Sequence, residues 1–215
     1  MKELIIFDLD GTLLNTIADL AQSVNHALVQ LGYPTHEEAA YNFMVGNGIN
    51  KLFERALPEE ERTEENILRV RELFMPFYSK HNMDKSRPYP GIPELLNALQ
   101  EKGKLIAVAS NKYQAGTEEL IAYYFPEIKF VAVFGQREGI APKPDPTVVY
   151  DILKITGTPK DKVLYVGDSG VDMQTAINSN ITSCGVTWGF RPRTELETFH
   201  PNHIVETADE ILALV

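Results

Sequence analysis

Cysteine is nearly absent from this chain. Cys184 is the one thiol among 215 residues, so no disulfide can form within it and a reducing compartment is expected. Basic residues are also scarce. Twenty Lys and Arg stand against thirty Asp and Glu, for a formal charge of −10. A nucleic-acid partner is excluded on that balance, because a phosphate backbone demands clustered cations. No apolar stretch approaches the length of a membrane span, and no charged-then-apolar leader pattern opens the chain, so the cytoplasm is the expected location. Internal repeats, low-complexity tracts and a G-x-x-x-x-G-K-[ST] loop are missing, and the five histidines lack metal-ligand spacing. His200 and His203, flanking Pro201, read as surface or strand-end residues. The acidic cluster from Glu59 to Glu65 reads as the solvated start of a helix.

What remains is an ordinary globular composition, 44% hydrophobic and 23% charged, in a length that suits one large domain or a core with a small insert. The run Leu4-Ile5-Ile6-Phe7 is short and wholly apolar, as in a central parallel strand buried on both faces. Helical periodicity follows it. Thr16 stands where a helix is capped, and Ile17, Leu20, Ala21, Val24, Leu28 and Leu31 form one stripe that Gly32 and Pro34 close. Thr35 is read as opening a second helix, Ile49 to Leu57 as a third, and Thr63 to His81 as a long fourth.

After Pro88, Pro90 and Gly91 the pattern alternates. Strands are expected over Leu105 to Ala109, within Ile128 to Phe134, over Val163 to Val166 and over Thr182 to Val186. Helices are expected over Ile92 to Lys102, Ala115 to Tyr124, Thr147 to Ile155, Val171 to Asn178, and from Ala208. Alternation of this kind means right-handed crossovers and a mostly parallel sheet. The fold class is therefore α/β, a doubly wound parallel sheet interrupted by a small α-helical cap. Residues 1–14 and 86–215 are assigned to the core, and 15–85 to the cap.

Polar groups gather at the strand ends, where open α/β sheets bind ligands. The first strand runs into Asp8-Leu9-Asp10-Gly11-Thr12, whose two carboxylates project to one side as the chain leaves the sheet. The second core strand runs into Ser110-Asn111-Lys112, Lys143 stands between prolines in Ala141-Pro142-Lys143-Pro144-Asp145-Pro146, and another strand ends in Gly167-Asp168-Ser169-Gly170-Val171-Asp172. Singly, each reads as turn or cap chemistry. Together they are hard to explain that way, because the parallel topology brings all four to one edge.

In these four ordered motifs the chain resembles the haloacid dehalogenase superfamily of phosphohydrolases, and the helical insert after the first motif resembles that family's small cap. The resemblance implies a Rossmann-like core. Asp8 is then the nucleophile that becomes an aspartyl phosphate, and Asp10 the acid and base for leaving oxygen and water. Ser110, Asn111 and Lys143 hold the transferring phosphoryl group. Paired carboxylates and a phosphate dianion repel one another, so a cation is required, and oxygen-only ligands suit Mg²⁺. By resemblance Asp8, the Asp10 backbone carbonyl and Asp168 bind it, with Asp172 in support.

Val45-Gly46-Asn47-Gly48-Ile49, followed by Glu54-Arg55-Ala56-Leu57, resembles the cap signature of phosphoglycolate phosphatases. That implies 2-phosphoglycolate as substrate, with Asn47, Lys51, Arg55 and Lys112 as candidates to bind it. Many relatives carry an acidic residue where this chain has Asn15. A sugar-phosphate phosphatase, a pyrophosphatase or a β-phosphoglucomutase would use the same four motifs. A non-catalytic phospho-acceptor similar to a response-regulator receiver is the alternative of another class; such domains place the acceptor on a later strand and lack a helical insert. A cysteine phosphatase is disfavoured, since Phe190 stands where an arginine six residues after Cys184 is needed, and Cys184 reads as a buried, inert thiol. Trp188 is read as packing near the site, with cover of the sheet edge as the alternative. The partner is a small phosphorylated metabolite, with no nucleic acid and no membrane, and the protein a monomer or weak dimer.

Overall fold

The computed structural model describes residues 1–215. The chain runs β1 (Leu4–Phe7), β2 (Leu14–Asn15), α1 (Ile17–Leu31), α2 (Glu38–Met44), α3 (Ile49–Ala56), α4 (Glu64–His81) and β3 (Arg87–Pro88). It continues α5 (Ile92–Glu101), β4 (Leu105–Tyr113), α6 (Gln114–Tyr124), β5 (Phe130–Gln136), α7 (Thr147–Thr156), β6 (Val163–Gly167) and α8 (Gly170–Ser179). It ends with β7 (Thr182–Val186), α9 (Arg193–Thr198), β8 (His203–Val205) and α10 (Ala208–Leu212). Six strands form one parallel sheet in the order β5-β4-β1-β6-β7-β8. The first strand in sequence is thus central, paired through Phe7 to Val108 on one side and to Val166 on the other.

Alternation along the central strands explains their unbroken apolar runs. Ile5 and Phe7, Ile106 and Val108, Leu164 and Val166 face a layer holding α5 and α10. Leu4 and Ile6, Ala107 and Ala109, Val163 and Tyr165 face the opposite layer, with α7 and α8. All four residues of β1 are fully buried. A strand covered on both faces has no solvent side on which to place a polar residue, so polarity appears only where it ends.

The helices α1 to α4 enclose an apolar cluster of their own, built around Val24, Leu28, Tyr41, Phe53, Phe74 and Tyr78. Two chain crossings join them to the sheet, and there β2 and β3 pair antiparallel, Leu14 with Pro88 and Asn15 with Arg87. The buried Asp19 carboxylate on α1 ties the crossings together. It accepts the backbone N–H of Lys85 (3.0 Å), that of Ser86 (2.8 Å) and the Ser86 hydroxyl (2.7 Å).

Several boundaries differ from the sequence reading. Thr16 does precede α1, but its side chain makes no cap; its hydroxyl donates to Asp10 Oδ1 at 2.7 Å. The second helix starts at Glu38 and not at Thr35, because the Asn25 amide holds the His36 backbone through both N–H and C=O. β4 continues past Ala109 to Tyr113 with a register shift, where the Gln114 amide bonds the Val133 carbonyl and the Gly135 N–H of β5. Polar composition there hid a strand that side-chain bonds sustain. β2, β3, α9 and β8 are too short to show a period; His203 opens β8.

Asp19→Ala would leave two buried donors, the Ser86 N–H and hydroxyl, and the half-buried Lys85 N–H unpaired and is expected to destabilise the protein by about 3 kcal/mol, while Asp19→Asn, which keeps an acceptor oxygen, costs less. Urea denaturation of the two variants checks the order.

Candidate active site

The loops leaving β1 and β6 and the irregular last stretch of β4 meet the 143 loop at the carboxyl edge of the sheet, beneath α1, α3 and α4. Asp8 follows β1 directly, and its Oδ1 accepts a 2.8 Å bond from Lys143 Nζ. The same ammonium bonds Asp172 Oδ1 at 2.7 Å. Lys143 is aimed by Asn111: the amide oxygen accepts the Lys143 N–H at 2.8 Å and Nδ2 donates to the Lys143 carbonyl at 3.0 Å. Asn111 Nδ2 also donates to the Gly46 carbonyl at 3.0 Å. Both N–H groups of the Asn111 amide are therefore taken by backbone carbonyls. Ser110 Oγ accepts the Lys112 N–H at 3.2 Å and lines the cavity.

Asp172 is positioned from its own helix. Its Oδ2 accepts the Ser169 N–H and the Ser169 hydroxyl (2.6 Å), closing a capping box at the start of α8. Asp168 accepts the Phe190 N–H at 2.7 Å and the Thr12 hydroxyl at 3.4 Å. Two glycines make room for it. A Cβ on Gly11 (φ +90°) would fall 2.3 Å from the Asp168 carboxylate, and one on Gly189 2.2 Å from Asp168 Cβ. Trp188 packs against the apolar cluster of the sheet, outside the cavity lining, and donates its indole N–H to the Thr12 carbonyl at 3.1 Å.

Asp8, Asp168 and Asp172 bring carboxylate oxygens within 4.8 Å of one another, all buried. Burial pushes the Asp8 carboxyl up to about 7; Lys143 opposes this, while Asp172 and Asp10 add to it. Asp168 is raised well above the carboxylate range by burial and by the charges of Asp172 and Asp8. Lys143, although burial opposes it, is held well above the usual lysine value by Asp172 and Asp8. One ammonium does not neutralise three carboxylates, and Asp8 Oδ2 takes no protein hydrogen bond. The cluster can hold a metal ion: its donors are hard oxygens, and a cation would relieve the repulsion.

Asp10, one turn of loop away, accepts the Thr16 hydroxyl (2.7 Å) and faces Lys112 Nζ at 3.4 Å. Of the four residues expected to bind substrate, Lys112 lines the cavity and the others do not. Lys51 is paired with Glu54 at 2.6 Å and its side chain is 55% exposed. Arg55 turns back to the Met44 carbonyl (2.8 Å) and to Asn47 Oδ1 (2.7 Å), so that Arg55 and Asn47 knit the loop between α2 and α3. Asn15 lies in β2, where its Oδ1 accepts the Ile17 N–H at 3.3 Å. Cys184 is buried in β7, its thiol pushed up to about 12 chiefly by burial.

Tyr78, Tyr113 and Arg191 also line the cavity, and sequence reasoning missed them. Tyr78 shares the apolar stripe of α4 with Val70 and Phe74 and so reads as core. Arg191 has no spacing signal. Its guanidinium donates to the carbonyls of Asn42, Phe43 and Val45, the last at 2.8 Å. With Arg55 on Met44 and Asn111 on Gly46, five successive carbonyls accept side-chain N–H groups.

A family model described as haloacid dehalogenase-like hydrolase matches residues 5–186. A phosphoglycolate phosphatase of Mesorhizobium japonicum is 32% identical over 212 residues, 98% of this chain and 93% of its own. One of Mannheimia succiniciproducens is 32% identical over 219 residues, covering 99% and 98%. The crystal structure of a predicted phosphoglycolate phosphatase from Haemophilus somnus superposes with a TM-score of 0.92 at 29% identity, covering 99% and 97% of the two chains.

Because Asp8 is held near 7 in the fold against an ordinary value of 3.8, its ionisation opposes folding, and stability is lost as pH rises between those values. Without a divalent cation, Asp8→Asn is therefore expected to be more stable than the native protein by about 4 kcal/mol at about pH 8, the gap closing toward about pH 4. Denaturation at the two pH values checks this; a gap independent of pH would assign it to another cause.

Proposed function

The chain belongs to the haloacid dehalogenase-like hydrolases and is a phosphatase, and from that premise we propose that it hydrolyses 2-phosphoglycolate with Mg²⁺, through an aspartyl phosphate on Asp8. The carrying observation is the convergence of Asp8, Asp168 and Asp172 within 4.8 Å while Asp10, 3.4 Å from Lys112 Nζ, enters the same cavity. Asp8, the Asp10 carbonyl and Asp168 would hold the ion, with Asp172 in support. When bound, Mg²⁺ supplies positive charge against the carboxylates and the phosphate dianion.

In the first step an Asp8 oxygen attacks phosphorus, the bond to the ester oxygen breaks, and Asp10 gives that oxygen its proton. In the second, Asp10 takes a proton from water, the water oxygen bonds to phosphorus, and Asp8 is released as carboxylate with inorganic phosphate. Lys143 fixes the Asp8 carboxylate and offsets its charge, and Asn111 acts through Lys143. Ser110 contributes its hydroxyl to the phosphoryl group. Lys112 meets the substrate carboxylate, since it lies beside the acid that serves the leaving oxygen.

Residues 15–85 act as a cap over the core formed by 1–14 and 86–215, opening and closing about the β2/β3 crossing. Leu20, Val45, Ile49, Leu52 and Phe190 line the cavity and would exclude water from the closed site. The net charge of −10 and the single cysteine support a cytoplasmic enzyme, monomer or weak dimer, that acts on a small metabolite without nucleic acid. No helix is long and apolar enough to cross a membrane.

The test is phosphate release from 2-phosphoglycolate, hexose phosphates, nucleotides and pyrophosphate, with and without Mg²⁺. Selective release from 2-phosphoglycolate, lost on chelation and reduced at least about 10⁴-fold in Asp8→Asn, is the expected result. Preference for another ester would overturn the substrate alone; release undiminished in Asp8→Asn would overturn the mechanism.

A further inference from the structure

Lys112 and Tyr78 form the one direct side-chain hydrogen bond between the α1–α4 unit and the cation beside Asp10. Lys112 Nζ donates to the Tyr78 hydroxyl at 2.6 Å and lies 4.7 Å from the centroid of the same ring. Both side chains are buried and both line the cavity. An ammonium carries three N–H groups, and Lys112 has two protein partners, Tyr78 and the 3.4 Å contact to Asp10.

The other cavity cations are differently engaged. Lys143 lies between two carboxylates at 2.8 and 2.7 Å, and Arg191 serves backbone carbonyls. Lys112 is left with a donor for a ligand. The phenol contributes a second donor: in accepting from Lys112 it keeps its own O–H, and no protein group accepts that proton. Burial and the Asp10 charge push Tyr78 well above the usual tyrosine value, so it remains a neutral hydroxyl. Its place is set from α4, where the ring stacks on Phe74 at 4.9 Å.

We propose that Tyr78 is a specificity-determining residue, which with Lys112 forms a two-donor clamp for a carboxylate on the leaving group. The inference rests on the 2-phosphoglycolate reading and deepens it. Asp10 serves the leaving oxygen, and in that substrate the oxygen carries a CH₂–COO⁻ arm, which brings the anion to the clamp. An ester without the carboxylate leaves one Lys112 N–H and the Tyr78 O–H without an acceptor in a buried site, the situation in which a polar site discriminates most strongly. The clamp also requires α4 to be seated on the core, so recognition and closure of the site coincide.

The experiment compares kcat/KM for 2-phosphoglycolate and for ethyl phosphate in the native protein, Tyr78→Phe, Lys112→Met and the double variant, each with its thermal midpoint. Phe keeps the stacked ring, so the fold is expected to survive. Tyr78→Phe should lower the ratio of the two kcat/KM values about tenfold, mainly through KM for 2-phosphoglycolate. The double variant should lose less than the product of the single losses. An equal fall for both esters, an unmoved ratio in Lys112→Met, or strictly multiplicative losses would overturn the clamp while the substrate reading stands. No hydrolysis of 2-phosphoglycolate by the native protein would overturn both.

Discussion

Lys143 bridging Asp8 and Asp172 is the interaction on which the site depends. Breaking a buried pair by removing one partner costs about 3–5 kcal/mol, and here the ammonium answers two carboxylates at once. Its surroundings are arranged to tolerate that density of charge. The Asn111 amide fixes the lysine backbone from both sides, the capping box turns Asp172 inward, and the Phe190 N–H steadies Asp168. Even so the carboxylates outnumber the ammonium, and Asp8 and Asp168 are raised, first by burial and then by the neighbouring carboxylate charge. That residual repulsion is the physical reason the cluster suits a metal ion.

The same groups stitch the helical unit to the core. Asn111, which aims Lys143, also holds the Gly46 carbonyl, and Arg191 takes three more carbonyls at the end of α2. Phe190, whose N–H steadies Asp168, packs into the apolar cluster of α1 to α4. Thr16, at the first crossing, bonds Asp10. The position of α1 to α4 and the orientation of the reacting groups are therefore set by shared residues, so a shift of one is felt by the other.

Much of this could be read from residues alone. Leu4 to Phe7 had to be a strand covered on both faces, and the carboxylates after it had to stand at its open end. The alternation after Pro88 implied the parallel order that brings Lys143 and Asp168 to Asp8. The cap residues were another matter. Lys51, Arg55 and Asn47 are polar groups in a motif-like stretch, yet they pair with Glu54, with Met44 and with each other. Tyr78 sits on an apolar stripe and reads as core until α4 is seated against Lys112.

The sequence by itself determined the strand ends and their chemistry, because period and polarity are local and a doubly wound sheet sends every strand end to the same edge. Only the tertiary structure decided which side chains face the cavity from the helices above it. A residue's place there depends on helix rotation and on partners far away in the chain, 34 residues apart for Tyr78 and Lys112 and 149 for Arg191 and Asn42, and no local pattern records either.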